Sequence, residues 1–217
     1  TEKSVVYYGS GKKDLETLEK LRILKEFTGT FLHDHETALY HFGTGHGECN
    51  VHLGRYLQKN TEETQNQWSR NLRSFLYGMN EARKKRKEAG YRNFEASKIE
   101  SYEKRYDELI EQGLKENANT KGRVARKEEK ALLNRLKKYK ENHLLFLKDF
   151  DIHYSNNMSE KDLRICKNRQ KMAGGFRTEA GREMYCDIIS CIETIKRRGL
   201  NIYQSIIGLM AGTPVMK

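Results

Sequence analysis

The feature that most constrains the fold is a long charged segment, residues 60 to about 147, which contains no proline and few glycines. Apolar side chains recur along it at close to the helical period, and Asn60 with Glu63 is typical of a capped helix start. The segment therefore predicts three amphipathic helices, joined near Gly90 and across 117–122, in a helical hairpin or small bundle. The predicted buried residues are, helix by helix, Trp68, Leu72, Phe75, Met79 and Ala82, then Ile99, Tyr102, Tyr106, Leu109 and Leu114, and finally Val124, Leu132, Leu136, Tyr139 and Leu147.

Before this segment the sequence reads as strand, helix and strand. Residues 4–8 are β-branched and aromatic and are followed by glycine and serine, which predicts a strand. Leucines at helical spacing predict a helix over 14–27. Residues 30–33 predict a second strand, and Asp34 follows it directly. Asp34 would then lie at the sheet edge where α/β folds usually bind ligands, whereas an Asp that begins a turn is the structural alternative.

The segment after Asp34 contains the pair Cys49-x-x-His52. These residue types at this spacing are half of a zinc site, but no second pair of ligands follows at standard spacing. The structural alternative is a short strand over 48–51 that packs Cys49, with His52 at the entry to a helix. That helix would carry Leu53, Tyr56 and Leu57.

A further charged helix is predicted between the turn-forming residues 155–157 and the glycines at 174–175. Helical spacing places one carboxylate and three cations on the same face: Glu160, Arg164, Lys167 and Lys171. A carboxylate can hold a divalent metal, and cations can hold a polyanion such as a nucleic-acid backbone. A solvated helix face is the alternative. In the glycine loop that follows, Arg177 is a candidate phosphate contact, and a helix C-cap is the structural interpretation.

Two more helices complete the predicted elements. Apolar residues at helical period predict a helix over 179–196 that packs against the sheet. Its apolar positions are Ala180, Met184, Ile188, Cys191 and Ile195. A short helix is predicted over 202–210, and Pro214 is expected to end the ordered chain.

The charge of the chain indicates its partner. The 217 residues contain 41 Lys+Arg against 30 Asp+Glu, a net charge of +11, so a polyanion is expected, with nucleic acid preferred over an anionic membrane surface. No apolar run is long enough to cross a bilayer. The four cysteines form no disulfide framework, which suits a reducing compartment such as a bacterial cytoplasm.

The densest positive run is Arg83, Lys84, Lys85, Arg86 and Lys87, for which DNA-phosphate contacts and cations at a helix end are both open interpretations.

Two stretches resemble a known family. The run NNMSEKDLRICKNRQKMAGGFRTEAGREMYCDIISCIETIKRRGLN is similar to the C-terminal signature of the insertion-sequence-66 family of DDE transposases, with its paired Asn, glutamate, K-x-x-Q-K and G-G-F-R elements. The stretch FTGTFLHDHETALYHFGTGHGECNVHLGRYL is similar to the family's segment around its second catalytic aspartate. The resemblance implies that Asp34 and Glu160 are the second and third members of the family's acidic triad.

The resemblance also implies a fold and an activity. The fold would be α/β, an RNase H-like core made of residues 1–58 and 149–217, with a helical insertion over 59–148. Asp34 and Glu160 would hold Mg²⁺ or Mn²⁺ for cleavage and transfer of DNA strands. Arg164, Lys167, Lys171 and Arg177 would contact the phosphates of transposon ends and target DNA. The protein would act as a homo-oligomer on DNA in a bacterial cytoplasm, associated with the nucleoid.

The family's first aspartate lies on an opening strand upstream of these residues. We therefore expect an N-terminally incomplete core that is catalytically inactive, or nearly so, by itself. The alternatives are an inactive nucleic-acid-binding remnant, a basic helical binding module, and a helical scaffold in which Asp34 and Glu160 lie far apart.

Overall fold

A computed structural model describes residues 1–12 and 14–213. The chain forms two compact units, which we call the sheet unit, Asp14–Asn156, and the terminal unit, Thr1–Lys13 with Asn157–Lys217. The predicted end of order at Pro214 lies outside the described residues. No helix among those residues combines the length and apolar character needed to span a membrane.

The sheet unit begins with two short helices, α1 (Leu15–Glu19) and α2 (Arg22–Lys25), in place of the single helix predicted over 14–27. Asp14 caps α1 by accepting a hydrogen bond of 3.0 Å from the backbone N–H of Thr17. Neither helix contains a buried residue. A short helix without a packed apolar face is marginal, so the chain breaks at Leu21, where the backbone is extended.

Two short strands form a parallel sheet, β1 (Thr30–His33) and β2 (Gly45–Glu48), with His33 opposite Glu48. A 3₁₀ helix, Thr37–His41, lies between them in sequence. The strand predicted at 30–33 is confirmed. The strand predicted over 48–51 is wrong, because β2 ends at Glu48 and a helix begins at Asn50.

Five helices follow in the sheet unit: α3 (Asn50–Thr64), α4 (Gln67–Glu88), α5 (Ala96–Asn117), α6 (Arg123–Lys138) and α7 (Lys140–Lys148). The three predicted amphipathic helices are present, but the third divides at Tyr139 into α6 and α7. Asn60 does not begin a helix, because α3 continues through it to Thr64. The main core lies among these helices and includes Leu53, Leu57, Trp68, Leu72, Leu76, Met79, Tyr106, Leu109, Leu133, Leu136, Leu144, Phe146 and Leu147.

Two predicted core positions in these helices are exposed, Leu114 and Val124. The buried face of α5 instead runs through Gly113, where a Cβ atom would lie 2.5 Å from Leu133 Cδ2 and 2.8 Å from Trp68 Cδ2. Glycine therefore permits the close approach of α5 to its neighbours, and Gly113 takes the buried position that the sequence pattern assigns to Leu114, whereas Tyr106 and Leu109 are buried as predicted.

A buried carboxylate on α6 joins the loops at one end of these helices. Glu129 is 1% exposed, and its oxygens accept hydrogen bonds from Trp68 Nε1 at 2.7 Å and from four other side chains. The other donors are Asn60, Asn66, Asn117 and Thr120. These bonds satisfy a charge that would otherwise be costly to bury.

The terminal unit contains α8 (Asn157–Ala173), α9 (Glu179–Arg197) and α10 (Ile202–Met210). The strand predicted over 4–8 is wrong, since none is assigned there in the described chain. Val5 N–H donates to Thr194 Oγ1 at 3.2 Å and Tyr7 N–H donates to Ser190 Oγ at 2.8 Å. The β-branched segment is thus satisfied by hydroxyl groups of α9 and needs no sheet partner.

The apolar face predicted to pack α9 against the sheet is only partly buried. Ile195 is buried, whereas Ala180, Met184 and Ile188 are exposed. The chain as described is mostly helical, with one two-stranded parallel sheet. An RNase H-like core, and the predicted boundaries at 58/59 and 148/149, stay predictions.

Candidate metal centre

The first element of the site is the turn after β1. Asp34 follows the last residue of the strand, and its side chain is 38% exposed. The next residue, His35, has a left-handed backbone with φ of 59°, a conformation that is uncommon outside glycine. Its Nδ1 lies 2.6 Å from Glu48 Oε1, at the end of the neighbouring strand. This contact holds the turn and so fixes the position of the chain immediately beyond Asp34.

The second element is the junction between β2 and α3. Cys49 is the N-cap of α3, and His52 lies in its first turn. Because β1 and β2 are parallel, the residues after both strands meet at one edge of the sheet. His52 Nδ1 lies 3.0 Å from Asp34 Oδ1 and 3.3 Å from Cys49 Sγ. The ligand atoms of all three side chains lie within 4.8 Å of one another, which is close enough for one metal ion.

The protonation of this cluster follows from its neighbours. Cys49 is 2% exposed, and burial raises the pKa of its thiol, although backbone hydrogen bonds from Asn156 and neighbouring residues oppose the shift. Arg55 Nη1 lies 3.1 Å from His52 Nε2, and a guanidinium only donates. His52 Nε2 therefore accepts, and the ring proton lies on Nδ1, toward Asp34 and Cys49. Burial therefore favours the thiol form of Cys49.

A carboxylate that the sequence did not single out lies at the same edge. Glu48 is 1% exposed and accepts hydrogen bonds from Arg135 Nη2 at 2.7 Å and from Tyr40 Oη at 2.6 Å. His143 Nε2 lies 3.1 Å from its second oxygen. Burial alone would raise the pKa of Glu48, but hydrogen bonds from His143, Arg135 and Tyr40 hold this pKa well below its ordinary value. Glu48 is therefore an ionised anchor between the sheet edge and helices α6 and α7.

Glu160 lies in the first turn of α8, as predicted. The helix spans Asn157–Ala173, between the predicted start and the two glycines, and Arg164, Lys167 and Lys171 are exposed along it. Gly174 and Gly175 have left-handed φ values of 66° and 114°, and Gly175 N–H donates to Gln170 O at 2.9 Å. This is a glycine C-cap, and Arg177 beyond it is exposed.

The basic run on α4 is largely engaged within the sheet unit. Arg83 is 7% exposed, and its guanidinium donates to the backbone oxygens of Phe150 at 2.6 Å and Ile152 at 3.0 Å. Arg83 holds the chain after α7 onto α4, and this burial argues against the predicted contact of Arg83 with DNA. Arg86 pairs with Glu95, and Lys84 pairs with Glu81. Lys84, Lys85 and Arg86 remain predicted DNA contacts, of which Lys84 and Lys85 are exposed.

A net charge of +11 is typical of proteins that bind a polyanion such as nucleic acid. Comparison with protein families matches residues 1–184 to one described as Transposase IS66 family. The match defines the chain as a transposase, a class of protein that acts on DNA. The chain belongs to the IS66 family, which confirms the family predicted from the two sequence stretches. No curated protein and no solved structure matches the chain.

Proposed function

We propose that this chain is a catalytic part of a DDE-type transposase, in which carboxylates bind divalent metal ions for cleavage and joining of DNA strands. The observation that supports this most is Asp34, which follows a parallel strand, is partly exposed, and has further metal-ligand side chains beside it. Family membership supports the same assignment. By resemblance, Asp34 and Glu160 are two of the family's three acidic residues.

The residues at the sheet edge fit a divalent cation. The Asp34 carboxylate supplies hard oxygen ligands of the kind that Mg²⁺ and Mn²⁺ take, and Glu160 would supply the second carboxylate. When bound, such ions supply the Lewis acidity and charge neutralisation required for in-line attack on a phosphodiester. The role of the chain's own residues would be to hold these carboxylates ionised and correctly placed. Glu48 contributes to this by fixing His35, the neighbour of Asp34.

The exposed cations of α8 provide the proposed DNA surface. Arg164, Lys167 and Lys171 recur along one helix face, and Arg177 follows the glycine cap. Cations spaced along a helix can follow a phosphate backbone without reading its sequence. We propose that they hold transposon ends or target DNA, with Lys84, Lys85 and Arg86 as a further surface, in a homo-oligomer that acts in the bacterial cytoplasm.

The test is strand cleavage. Since two of the family's three acidic residues are assigned within these 217 residues, the assay uses this chain joined to the upstream segment of an IS66 transposase that supplies the remaining aspartate. We expect Asp34→Asn and Glu160→Gln each to reduce Mg²⁺-dependent cleavage of terminal-repeat DNA by about 100-fold or more. DNA affinity should change by less than about threefold, because neither residue is a cation.

Glu183→Gln is the matched control, since Glu183 is an exposed carboxylate on α9 with no proposed role. Cleavage by this variant should equal that of the parent protein. If the parent and all three variants bind DNA equally and none of them cleaves it, the proposal fails and the chain is a nucleic-acid-binding remnant.

A further inference from the structure

We propose that Asp34, Cys49 and His52 form a site for a thiophilic divalent cation, Zn²⁺ or a metal of similar preference such as Co²⁺. The inference goes beyond the proposed function, because Cys49 and His52 would add a thiophilic cation beside the Mg²⁺ or Mn²⁺ that the proposed function places on the Asp34 carboxylate. It rests on that function only for the role of Asp34 as a ligand, and it requires neither DNA nor strand cleavage.

The chemical types of the three ligands favour a thiophilic metal. A thiolate, an imidazole and a carboxylate make a set that suits Zn²⁺ and Co²⁺, whereas Mg²⁺ is held by oxygen ligands alone. The sequence supplied only half of this set, as Cys49-x-x-His52. The fold supplies the third member, since parallel pairing of β1 and β2 places Asp34 beside His52. Three protein ligands with a fourth position for water or substrate are typical of catalytic zinc sites.

The distances between the ligand atoms are close to those of a tetrahedral zinc site. In a tetrahedral zinc site, ordinary bond lengths place a nitrogen and an oxygen ligand about 3.3 Å apart, and a nitrogen and a sulfur ligand about 3.6 Å apart. The corresponding separations here are 3.0 Å, from His52 Nδ1 to Asp34 Oδ1, and 3.3 Å, from His52 Nδ1 to Cys49 Sγ. A shift of about 0.3 Å in each of these two distances would match the zinc geometry. The ligand atoms of Asp34 and Cys49 lie within 4.8 Å of each other.

The surroundings of Cys49 Sγ favour a thiolate when a cation is bound. Cys49 Sγ is buried and accepts a hydrogen bond of 3.5 Å from the backbone N–H of Asn156. Cys49 is also the N-cap of α3, where the helix dipole stabilises a thiolate. Both features favour the negatively charged form of the sulfur once a cation supplies the compensating charge.

The proton balance of binding is simple. The metal ion forms a bond to Cys49 Sγ, and the thiol proton goes to solvent. It forms a second bond to His52 Nδ1, whose proton is replaced by one on Nε2, so the imidazole stays neutral. Arg55 then has to leave Nε2, because two donors would face each other. Arg55 is exposed, and its guanidinium can turn into water without loss of a buried contact.

The test is cobalt spectroscopy on the 217-residue chain after removal of metal with a chelator. Titration with Co²⁺ should produce the visible bands of tetrahedral Co²⁺ and a thiolate-to-cobalt charge-transfer band in the near ultraviolet, and Zn²⁺ should displace both. In Cys49→Ser the charge-transfer band should be lost. In His52→Gln and Asp34→Asn the band should persist at higher Co²⁺ concentration, with affinity reduced about tenfold or more.

Cys186→Ser is the matched control, because Cys186 is another buried, free cysteine, and its band should equal that of the parent chain. Thermal unfolding without metal shows that each variant is folded. If Cys49→Ser does not fold, the shifted titrations of Asp34→Asn and His52→Gln decide the question. A parent chain without the charge-transfer band, or a band that Cys186→Ser removes and Cys49→Ser leaves, overturns the proposal.

The two proposals fail in distinguishable ways. DNA cleavage in Mg²⁺ by a protein without the cobalt band would leave the proposed function standing and contradict the thiophilic site. A cobalt band that depends on Cys49, in a protein that never cleaves DNA, would support the thiophilic site and contradict the proposed function.

Discussion

At the scale of single residues, two carboxylates at one sheet edge have opposite environments. Asp34 is partly exposed and faces a histidine and a cysteine, whereas Glu48 is almost fully buried among an arginine, a tyrosine and two histidines. The exposed carboxylate can exchange its contacts for a metal ion. The buried one cannot, because each of its donors would then lose its partner. These environments support the proposed ligand role of Asp34 and indicate a structural role for Glu48.

Glu48→Gln should reduce the free energy of unfolding by about 3 kcal/mol, because it leaves the Arg135 guanidinium with a neutral partner in a buried setting. Urea unfolding at neutral pH measures the change. Glu111→Gln, at an exposed position on α5, should change it by less than about 0.5 kcal/mol. Equal effects of the two substitutions would show that the Glu48 contacts are not stabilising.

The contribution of Glu48 should also depend on pH in a defined direction. Its folded pKa is depressed, so the unfolded chain binds a proton first as the pH falls below the ordinary value of 4.5. The stability difference between the parent chain and Glu48→Gln should therefore be complete near neutral pH and shrink progressively below pH 4.5. Urea unfolding at several pH values measures it, and a difference that grows on acidification would contradict the assignment.

At the scale of elements, the helices were predictable and the strands only in part. Helical period located α4, α5 and α9, because an amphipathic helix repeats its pattern over several turns, and the turn-forming residues and glycines at its ends located α8. The β-branched residues 4–8 misled, since an extended segment satisfied by hydroxyls has the same composition as a strand. The burial of Gly113 in place of Leu114 was not predictable either, because glycine gives no apolar signal.

Gly113→Ala should destabilise the chain by about 1–3 kcal/mol, because the added Cβ would lie 2.5 Å from Leu133 and 2.8 Å from Trp68. Gly78→Ala on α4 is the matched control, since a Cβ there has no atom within 4 Å. That substitution should stabilise the helix by about 0.5–1 kcal/mol. Thermal or urea unfolding measures whether each substitution raises or lowers the free energy of unfolding. A stabilising Gly113→Ala would contradict the close packing of α5.

At the scale of the whole molecule, the family was predictable from two motif-bearing stretches, and the composition of the metal cluster was not. Asp34, Cys49 and His52 were each identified in the sequence, but their convergence depends on the parallel pairing of two strands of four residues each. So short a pairing leaves no periodic pattern. The burial of Arg83 was equally hidden, because a buried and an exposed arginine in a basic run look alike in sequence.

The exposed lysines of α8 and the buried Arg83 should respond differently to substitution. Lys167→Gln with Lys171→Gln should weaken DNA binding and reduce the slope of log affinity against log salt by about 1.8, since each lost phosphate contact removes about 0.9. Arg83→Gln should leave that slope unchanged and lower the thermal unfolding temperature, because Arg83 bonds backbone oxygens of the folded chain. Fluorescence anisotropy over a salt series measures the slope. An unchanged slope in the lysine variant would exclude α8 as the DNA surface.

The most direct test of the account is a change of metal preference at Asp34. In the cleavage assay with the family's first aspartate supplied by the upstream segment, Asp34→Cys replaces an oxygen ligand by sulfur, which Mg²⁺ does not accept and Mn²⁺ tolerates better. We predict no detectable cleavage by Asp34→Cys in Mg²⁺ and partial recovery in Mn²⁺. Parental rates of cleavage by Asp34→Cys in Mg²⁺ would contradict the claim that the carboxylate of Asp34 binds the catalytic metal.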